Sequence, residues 1–307
     1  MKYVAWIIQI LLVPAIAPLG FGIISKVKAK MQRKKGASIL LPYRNLRKLF
    51  HKDEIISHDA SWIFRVSPFV IFAVTLIVGA SIPLVTSALH MATSDLLFVV
   101  YLLGVGTFFL ALSGMDAGSA FGGFGSSREM TISALAEGSL VFSILPLVVA
   151  SGTTDLTQIA SNVHGMYGKH LVSVILAFVG FMIVLLAEGK RFPFDNADTH
   201  LELTMVHEAM ILEHSGKRLA LMEWSAANKL FIFAALAANV FWPLGLASTT
   251  DVKALAIGLA TLVAKVFAIY IFIGVLESVI AKFRYFRLPD LLFVAFILNV
   301  IAIGLAK

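Results

Sequence analysis

The chain has 307 residues, of which 59% are hydrophobic and 14% charged, and its net charge is +7. A mean hydropathy of +0.90 excludes an ordinary soluble domain. The positive charges are spread over alternate loops between apolar segments instead of forming one patch, so we predict no nucleic-acid partner. Because the chain has no cysteine, it holds neither a disulfide nor a thiolate-bound iron–sulfur cluster.

Apolar runs of about 20 residues, the length needed to cross about 30 Å of hydrocarbon, recur along the whole chain. Eight such spans are predicted, at 3–25, 66–89, 96–115, 129–150, 171–188, 226–247, 254–281 and 288–306. The first contains Pro14 and Pro18 and follows only one charge, Lys2, so we interpret it as a retained span and not as a cleaved signal. The sequence therefore predicts an all-α integral membrane protein in which 1–307 form a single polytopic domain.

Basic residues are concentrated in every second loop. The loop 26–65 holds eleven Lys and Arg residues, 116–128 one, 189–229 five and 282–287 three. The alternate loops and the termini hold only Lys2, Lys169, Lys253 and Lys307. The positive-inside rule places the three loops 26–65, 116–128 and 189–229 in the cytoplasm and both termini outside.

The first cytoplasmic loop contains a short amphipathic segment at 41–50. Its apolar residues share one helical face and its basic residues lie away from that face: Leu46, Leu49 and Phe50 against Arg44, Arg47 and Lys48. This pattern predicts a short interfacial helix lying in the plane of the membrane surface. A basic loop held by anionic headgroups is the alternative, and both interpretations make membrane lipid a partner.

The second cytoplasmic loop, 116–128, carries four glycines. A phosphate-binding loop would need a preceding strand, whereas this segment joins two apolar spans, so we predict a flexible or closely packed hairpin. Asp116 and Arg128 lie at its two ends and are candidates for an ion pair across it.

The third cytoplasmic loop contains His200, His207 and His214 at seven-residue spacing, which places them on one face if the stretch is helical. A metal site is one interpretation, but the HExxH pattern is absent after His207. We favour a docking or proton-handling face.

Three ionisable residues lie within apolar spans. Glu137 lies about two turns into the fourth span, Lys265 near the middle of the seventh, and Glu277 near the cytoplasmic end of the seventh. Such residues cost about 2.5–3.5 kcal/mol each at mid-bilayer and are normally paired or hydrated. We hypothesise that Glu137 and Lys265 belong to one buried polar path that continues to Glu188. The alternatives are a static pair that locks two helices and, for Glu277, interfacial anchoring.

A dense ionic run follows the fifth span: Glu188-x-x-Arg191-x-Pro193-Phe194-Asp195, then Asp198-x-His200-x-Glu202, then Glu213-His214-Ser215-Gly216. In order and spacing it resembles the third cytoplasmic loop of the complex I subunit 1 family, which includes hydrogenase relatives, and the resemblance covers nearly the whole chain. The segments 113–119 and 125–129 are more similar to the hydrogenase branch, which contains formate hydrogenlyase subunit 4 and the membrane anchor of energy-converting NiFe hydrogenases. Leu41 and Asn45 replace the Gln and Asp typical of the quinone-site entrance, and His200 replaces the central Glu.

This resemblance implies a membrane anchor and coupling subunit in the cytoplasmic membrane of a prokaryote. Its partners would be peripheral subunits that hold iron–sulfur clusters and a NiFe centre, and antiporter-like membrane subunits that move H⁺ or Na⁺; this chain itself would hold no cofactor. The implied proton or ion path consists of Glu137, Glu188, Asp195, Asp198, Glu202, Lys265 and Glu277. Arg191 would balance the acidic charge, and Arg128, Asp116, Arg44, Arg47 and Lys48 would serve docking or charge balance.

Three other functions remain open from the sequence. The chain is alternatively the quinone-site subunit of an NADH:quinone oxidoreductase, an independent ion or solute transporter, or a purely structural anchor. Against the transporter, no inverted repeat is evident. Asp195 is also a candidate cap of the following helix.

Overall fold

The structure is a computed structural model that describes residues 2–57, 59–88, 93–195, 205–249, 251–281 and 283–307. Ten α-helices lie in these ranges: α1 Lys2–Met31, α2 Leu41–Phe50, α3 Trp62–Ser81, α4 Leu96–Asp116, α5 Ala120–Ser151, α6 Leu156–Glu188, α7 His207–Ile211, α8 Gly216–Leu236, α9 Val252–Val279 and α10 Leu288–Ala306. In the described ranges, eight helices are long and apolar enough to cross a membrane. The prediction of an all-α integral membrane protein with eight spans is confirmed.

The spans form one helical bundle. The helix α5 packs against α4, α6 and α10, while α3 packs against α4 and α8, and α1 against α8 and α9. The helix α8 is the most enclosed span and contributes an almost continuous buried run from Leu230 to Phe241. By contrast, α9 and α10 leave most of their surface exposed, as expected for helices that face lipid or a partner.

The predicted short helix in the first loop is present as α2. Leu46 is buried and Leu49 and Phe50 are half-buried, while the three basic residues at 44, 47 and 48 are exposed, as the sequence pattern predicts. Phe50 contacts the ring of Trp224 on α8 with the centroids 6.0 Å apart. The apolar face of α2 therefore packs on the bundle. Its orientation to a membrane surface stays a prediction.

The second cytoplasmic connection is shorter than predicted, because α5 begins at Ala120. Ser119 caps the helix by accepting a hydrogen bond from the Gly122 amide at 3.1 Å. The glycines serve close packing and not a loop: a Cβ at Gly125 would lie 2.8 Å from the Val206 carbonyl oxygen and 3.1 Å from Met210 Cγ. The third connection is also shorter than 189–229, since α8 begins at Gly216.

The end of the first loop is fastened to the start of α8. Ser215 Oγ accepts from the Ile55 amide and donates to the Ile55 carbonyl, both at 2.9 Å. Arg218 forms an ion pair with Glu54. At Gly216, with φ of +53°, a Cβ would come within 2.9 Å of the Asp53 carbonyl oxygen. The Ser-Gly pair in the sequence therefore joins two cytoplasmic segments at close range.

The helix α8 does not end regularly. Its last turn, Ala237–Phe241, is π-helical, and an irregular segment follows it. That segment lies beside the irregular residues after α3, where the Ala247 amide donates to the Val85 carbonyl at 3.1 Å and the Ser87 amide donates to the Ala247 carbonyl at 2.9 Å. Two interrupted spans therefore meet next to α9.

Candidate functional site: a cavity with buried ion pairs

A cavity of about 340 Å³ lies among α1, α2, α3, α4, α8 and the segment after α6. Its α1–α2 side includes Ala37, Leu41 and Asn45, and its opposite wall comes from α3, α4 and α8. Charged residues gather at the end of α6 and in the segment that follows: Glu188, Lys190, Arg191 and Asp195. The substitutions at 41 and 45 have therefore not filled the space beside α2.

The deepest ion pair joins α6 and α8. Lys229 Nζ lies 2.6 Å from Glu188 Oε2 and donates to Thr107 Oγ1 on α4 at 3.3 Å. The Glu188 side chain is only 3% exposed, and its other oxygen, Oε1, has no hydrogen-bond partner in the described part of the chain. A carboxylate buried this far is stabilised chiefly by its cation.

A second pair joins α5 to the turn after α6. Lys190, with φ of +54°, directs its ammonium to Glu129, whose side chain is fully buried. Ser133 Oγ, one turn along α5, donates to Glu129 Oε1 at 3.2 Å. Glu129 Oε2 is left without a hydrogen bond among the described residues. Lys229 also acts electrostatically on Glu129, so the two pairs belong to one network.

A third group brings Glu277 into the cavity wall. Arg191 Nη1 lies 3.5 Å from Glu277 Oε1, and Lys28 Nζ lies 3.1 Å from Glu277 Oε2. The Arg191 guanidinium also lies over the Phe21 ring, 4.6 Å from its centroid. Glu277 is therefore buried between two cations. Interfacial anchoring, the alternative raised by its sequence position, does not describe these surroundings.

Asp195 lies at the opening of this network toward α7. Its Oδ2 accepts from the His207 amide at 3.0 Å, at the N-terminus of α7. The capping role considered for Asp195 is thus present, although eleven residues separate it from the helix. Burial lowers the pKa of His207, and its Nδ1 is buried without a hydrogen-bond partner in the described ranges.

Glu137 lies at the edge of the same network. The charges that act most strongly on its carboxylate are Glu188 and Lys229, followed by Glu129. A Cβ placed at Gly104 on α4 would be 3.3 Å from both carboxylate oxygens, so the group rests against the backbone of α4. Glu137 is half-buried, and Gly138 beside it faces open space. The carboxylate therefore lies between the interior and the outer α4–α5 surface.

The predicted path between Glu137 and Lys265 is not continuous through direct contacts. Lys265 Nζ donates to the Ala238 carbonyl at 3.1 Å, to Asn239 Oδ1 at 2.6 Å and to the Trp242 carbonyl at 3.0 Å. These oxygens belong to the irregular end of α8, which is a different site. The expectation that Lys265 and Glu137 form a pair is wrong, because the π-helical turn supplies the lysine with carbonyl acceptors.

Asp116 and Arg128 have different partners and do not span a hairpin. Asp116 Oδ2 accepts from the amides of Ser61 and Phe64 at 2.9 and 3.1 Å, which caps the N-terminus of α3. Arg128 Nη1 donates to the Met205 carbonyl at 3.3 Å, and its guanidinium lies over the rings of Phe124 and Tyr285. Both residues fasten cytoplasmic segments to helices. Asp198, His200 and Glu202 lie outside the described residues.

The heptad of histidines does not form one helical face. The helix α7 ends at Ile211, so His214 follows a turn and not a continuous helix from His207. In the described ranges, no group of three or more candidate metal ligands is close enough to hold an ion. His214 instead hydrogen-bonds Ser113 through Nε2 at 2.7 Å and stacks on Phe64 with a centroid distance of 3.9 Å.

We expect His214 to make stability pH-dependent. Burial and, to a smaller extent, Arg218 lower its pKa to about 4, whereas the unfolded chain titrates near 6.5. The unfolded state therefore binds more protons between these values, and stability falls as the pH decreases from about 6.5 toward 4. The full contribution is on the order of 3 kcal/mol. His214→Gln should flatten this fall in a thermal unfolding series from neutral to acidic pH.

His51→Gln, which removes an exposed ring, is the matched control for the His214 series. It should keep the acid sensitivity of the unmodified chain. Equal acid sensitivity of His214→Gln and the unmodified chain would show that the buried ring does not titrate on unfolding.

Sequence reasoning missed four members of the network: Lys28, Glu129, Lys190 and Lys229. A signal for one of them existed, because Glu129, Ser133 and Glu137 recur every four residues and share one face of α5. The three cations lie near the ends of predicted spans, where basic residues are common, so nothing in their spacing distinguished them.

The arrangement places alternating carboxylates and cations around a cavity that extends from α2 to the α4–α5 surface. Each cation contacts a carboxylate from another segment: Lys28 and Arg191 with Glu277, Lys190 with Glu129, and Lys229 with Glu188. Displacement of one cation would leave a buried charge uncompensated. Such a network is suited to linking a movement at the cavity to a change of protonation at its edge.

Comparison with known proteins identifies related chains. The family model described as NADH dehydrogenase matches residues 3–306. Hydrogenase-4 component C of Escherichia coli (strain K12) is 31% identical over 96% of this chain and 92% of its own length. Formate hydrogenlyase subunit 4 of the same strain is 28% identical over 91% of this chain and 90% of its own length. A subunit of the NADH-quinone oxidoreductase of Paraburkholderia phymatum is 26% identical over 81% and 72%, respectively.

Among solved structures, this chain is similar to a chain of the membrane-bound sulfane sulfur reductase, an archaeal respiratory membrane complex. The TM-score is 0.81, with 99% of each chain covered and 21% sequence identity. This likeness shows a shared fold.

Proposed function

Because this chain belongs to the NADH dehydrogenase family, which includes membrane subunits of complex I and of related hydrogenases, we propose that it is the membrane anchor and coupling subunit of an energy-converting NiFe hydrogenase of the formate hydrogenlyase type. It would dock a peripheral redox arm on its cytoplasmic face. It would link electron transfer in that arm to translocation of H⁺ or Na⁺ through its buried carboxylates.

Support for coupling comes chiefly from the convergence of ion pairs on one cavity. Lys229 holds Glu188 at 2.6 Å and also acts on Glu137 and Glu129. A movement of the segment after α6 that draws Lys229 from Glu188 would change the electrostatic field at Glu137, and thereby its protonation. Glu137 would pass this effect to a partner membrane subunit seated on the α4–α5 surface.

The redox centres would lie in partner subunits. This chain has no cysteine to bind an iron–sulfur cluster or a NiFe centre. The described residues likewise contain no cluster of three candidate ligands. The exposed basic residues of α2, Arg44, Arg47 and Lys48, would instead contact the arm or anionic headgroups on the cytoplasmic side of a prokaryotic membrane.

The test is gentle purification of the chain from its native membrane, followed by mass spectrometry of the proteins that accompany it. The same preparation is assayed for hydrogen evolution and for quinone reduction. We expect hydrogenase-like and iron–sulfur subunits together with hydrogen evolution. A chain that is purified alone, and transports ions alone after reconstitution, would favour an independent carrier and overturn the proposal.

The cavity beside α2 favours one second candidate, the quinone-site subunit of an NADH:quinone oxidoreductase. Its volume of about 340 Å³ is within the range of small-molecule sites, and Leu41 and Asn45 line it. Quinone reduction without hydrogen evolution in the purified complex would select this function. The same redox-arm docking and ion path would then serve a different electron acceptor.

A further inference from the structure

The irregular end of α8 forms an oxygen cage that is separate from the ion-paired cavity. An ammonium group has three N–H donors, and all three donors of Lys265 are used there. They reach Asn239 Oδ1 at 2.6 Å, the Trp242 carbonyl at 3.0 Å and the Ala238 carbonyl at 3.1 Å. Among the described residues, no carboxylate contacts this ammonium, so its charge is met by neutral oxygens.

The cage is held in place by contacts that do not involve Lys265. Asn239 is buried, and its Nδ2 donates to the carbonyls of Pro83 and Leu84 at 2.9 and 2.6 Å. These two bonds fix the amide orientation and direct Oδ1 toward the lysine. Tyr167 donates to the Phe241 carbonyl at 2.8 Å, so the last turn is also secured from α6.

The backbone oxygens of the cage carry extra negative character. They belong to the C-terminal end of a helix, where carbonyls lack intrahelical donors and the helix dipole is negative. The π-helical turn at Ala237–Phe241 opens this end further, and π-turns recur at functional sites. A cation is therefore favoured at this position.

The cage lies beside the middle of a membrane span. Lys265 is in the central part of α9, roughly 20 Å from either end of the helix. The two irregular segments contact the same helix: a Cβ at Gly258 would be 2.5 Å from the Val85 carbonyl oxygen, and one at Gly245 would be 2.6 Å from Thr261. Interrupted helices beside a mid-membrane site are the arrangement by which transporters hold Na⁺.

We propose that the Ala238 and Trp242 carbonyls and Asn239 Oδ1 form a monovalent-cation site, which the Lys265 ammonium occupies in this structure and which Na⁺ or K⁺ occupies when the ammonium is withdrawn. Three neutral oxygens suit a single positive charge, whereas divalent cations in proteins are usually held with carboxylates. The tethered ammonium competes at high effective concentration and so keeps alkali cations out of the unmodified protein.

The test compares the unmodified chain with Lys265→Ala, each purified in detergent with the subunits that accompany it. Thermal unfolding is measured in sodium, potassium and N-methyl-D-glucamine chloride at equal ionic strength. In the organic cation, which is too large for the cage, the variant should unfold on the order of 5 °C below the unmodified chain. Na⁺ or K⁺ should restore most of that loss, and the unmodified chain should be indifferent to the cation.

Two further variants separate a cation site from a simple tether. Lys265→Met fills the cage with an apolar side chain and should show no cation-dependent recovery. Lys265→Ser leaves space as Lys265→Ala does, and should recover with Na⁺ or K⁺. Equal destabilisation of Lys265→Ala in all three salts, or no destabilisation, would overturn the proposal. Failure of both space-leaving variants to accumulate in cells would also overturn it, because cytoplasmic K⁺ should fill the site.

Discussion

Replacement of Lys229 by methionine is expected to destabilise the protein by about 3–5 kcal/mol, because it leaves the buried Glu188 carboxylate without its cation. The 2.6 Å contact between Lys229 Nζ and Glu188 Oε2 is the shortest of the undistorted pairs in the cavity, and Glu188 Oε1 has no hydrogen-bond partner in the described ranges to compensate. Glu137 and Glu129 also lose a nearby positive charge. The expected decrease in Tm is about 10 °C.

The double variant Lys229→Met/Glu188→Gln should recover most of this loss, since it removes both charges and leaves a neutral, nearly isosteric pair. Lys217→Met is the matched control, because this lysine is exposed on the same helix and should have little effect. Thermal unfolding of the four chains in one detergent gives the coupling energy. A double variant as unstable as Lys229→Met alone would show that the ion pair is not the source of the loss.

This variant set also separates structural from functional roles of the network. A purely structural anchor predicts that the double variant regains ion translocation along with stability. The proposed coupling function predicts a stable complex that docks its arm and evolves hydrogen but translocates few ions, because Lys229 no longer responds to the segment after α6. Both quantities are measured on the same membrane vesicles.

The architecture and part of the site could be predicted from the sequence because both depend on local patterns. Eight apolar runs specify eight spans, and the spacing of Leu46, Leu49 and Phe50 specifies the apolar face of α2. The ionic run after the fifth span places Glu188 and Arg191 together, since they are three residues apart. These features need no knowledge of how the helices pack.

Tertiary convergence limited the rest. Lys229 and Glu188 are forty-one residues apart in the sequence and meet only because α6 and α8 pack side by side. The partners of Lys265 are mostly backbone carbonyls freed by a π-helical turn, which leaves no residue-type signal. The glycines before Arg128 look like a loop in sequence, whereas their lack of a Cβ admits Val206 and Met210 to the helix surface.

The second large effect is expected from Glu137→Gln, which should abolish ion translocation while leaving the fold intact. In the described part of the chain, the Glu137 carboxylate has no ion pair or hydrogen bond, and it is half-buried, so replacing it by a neutral amide of the same shape removes little stabilising energy. Glutamine cannot accept or release a proton, so a path through this position is interrupted.

The measurement uses inside-out vesicles that contain the assembled complex, in which hydrogen evolution and the ion gradient are recorded together. Gradient formation should fall about 100-fold, the lower end of what a positioned acid–base group contributes to proton transfer, while hydrogen evolution continues. Glu137→Asp keeps an ionisable group near Gly104 and should retain part of the gradient. Glu213→Gln, at an exposed carboxylate outside the network, is the matched control and should change neither quantity.

The two readouts distinguish the mechanisms that the structure leaves in competition. If Glu137→Gln lowers hydrogen evolution, the gradient and thermal stability in parallel, the residue supports the helix packing and the structural anchor is favoured. An undiminished gradient would place the ion path elsewhere, away from the α4–α5 surface. Loss of the gradient alone means that the electrostatic chain from Glu188 through Lys229 to Glu137 is the route by which electron transfer reaches the ion-translocating partner.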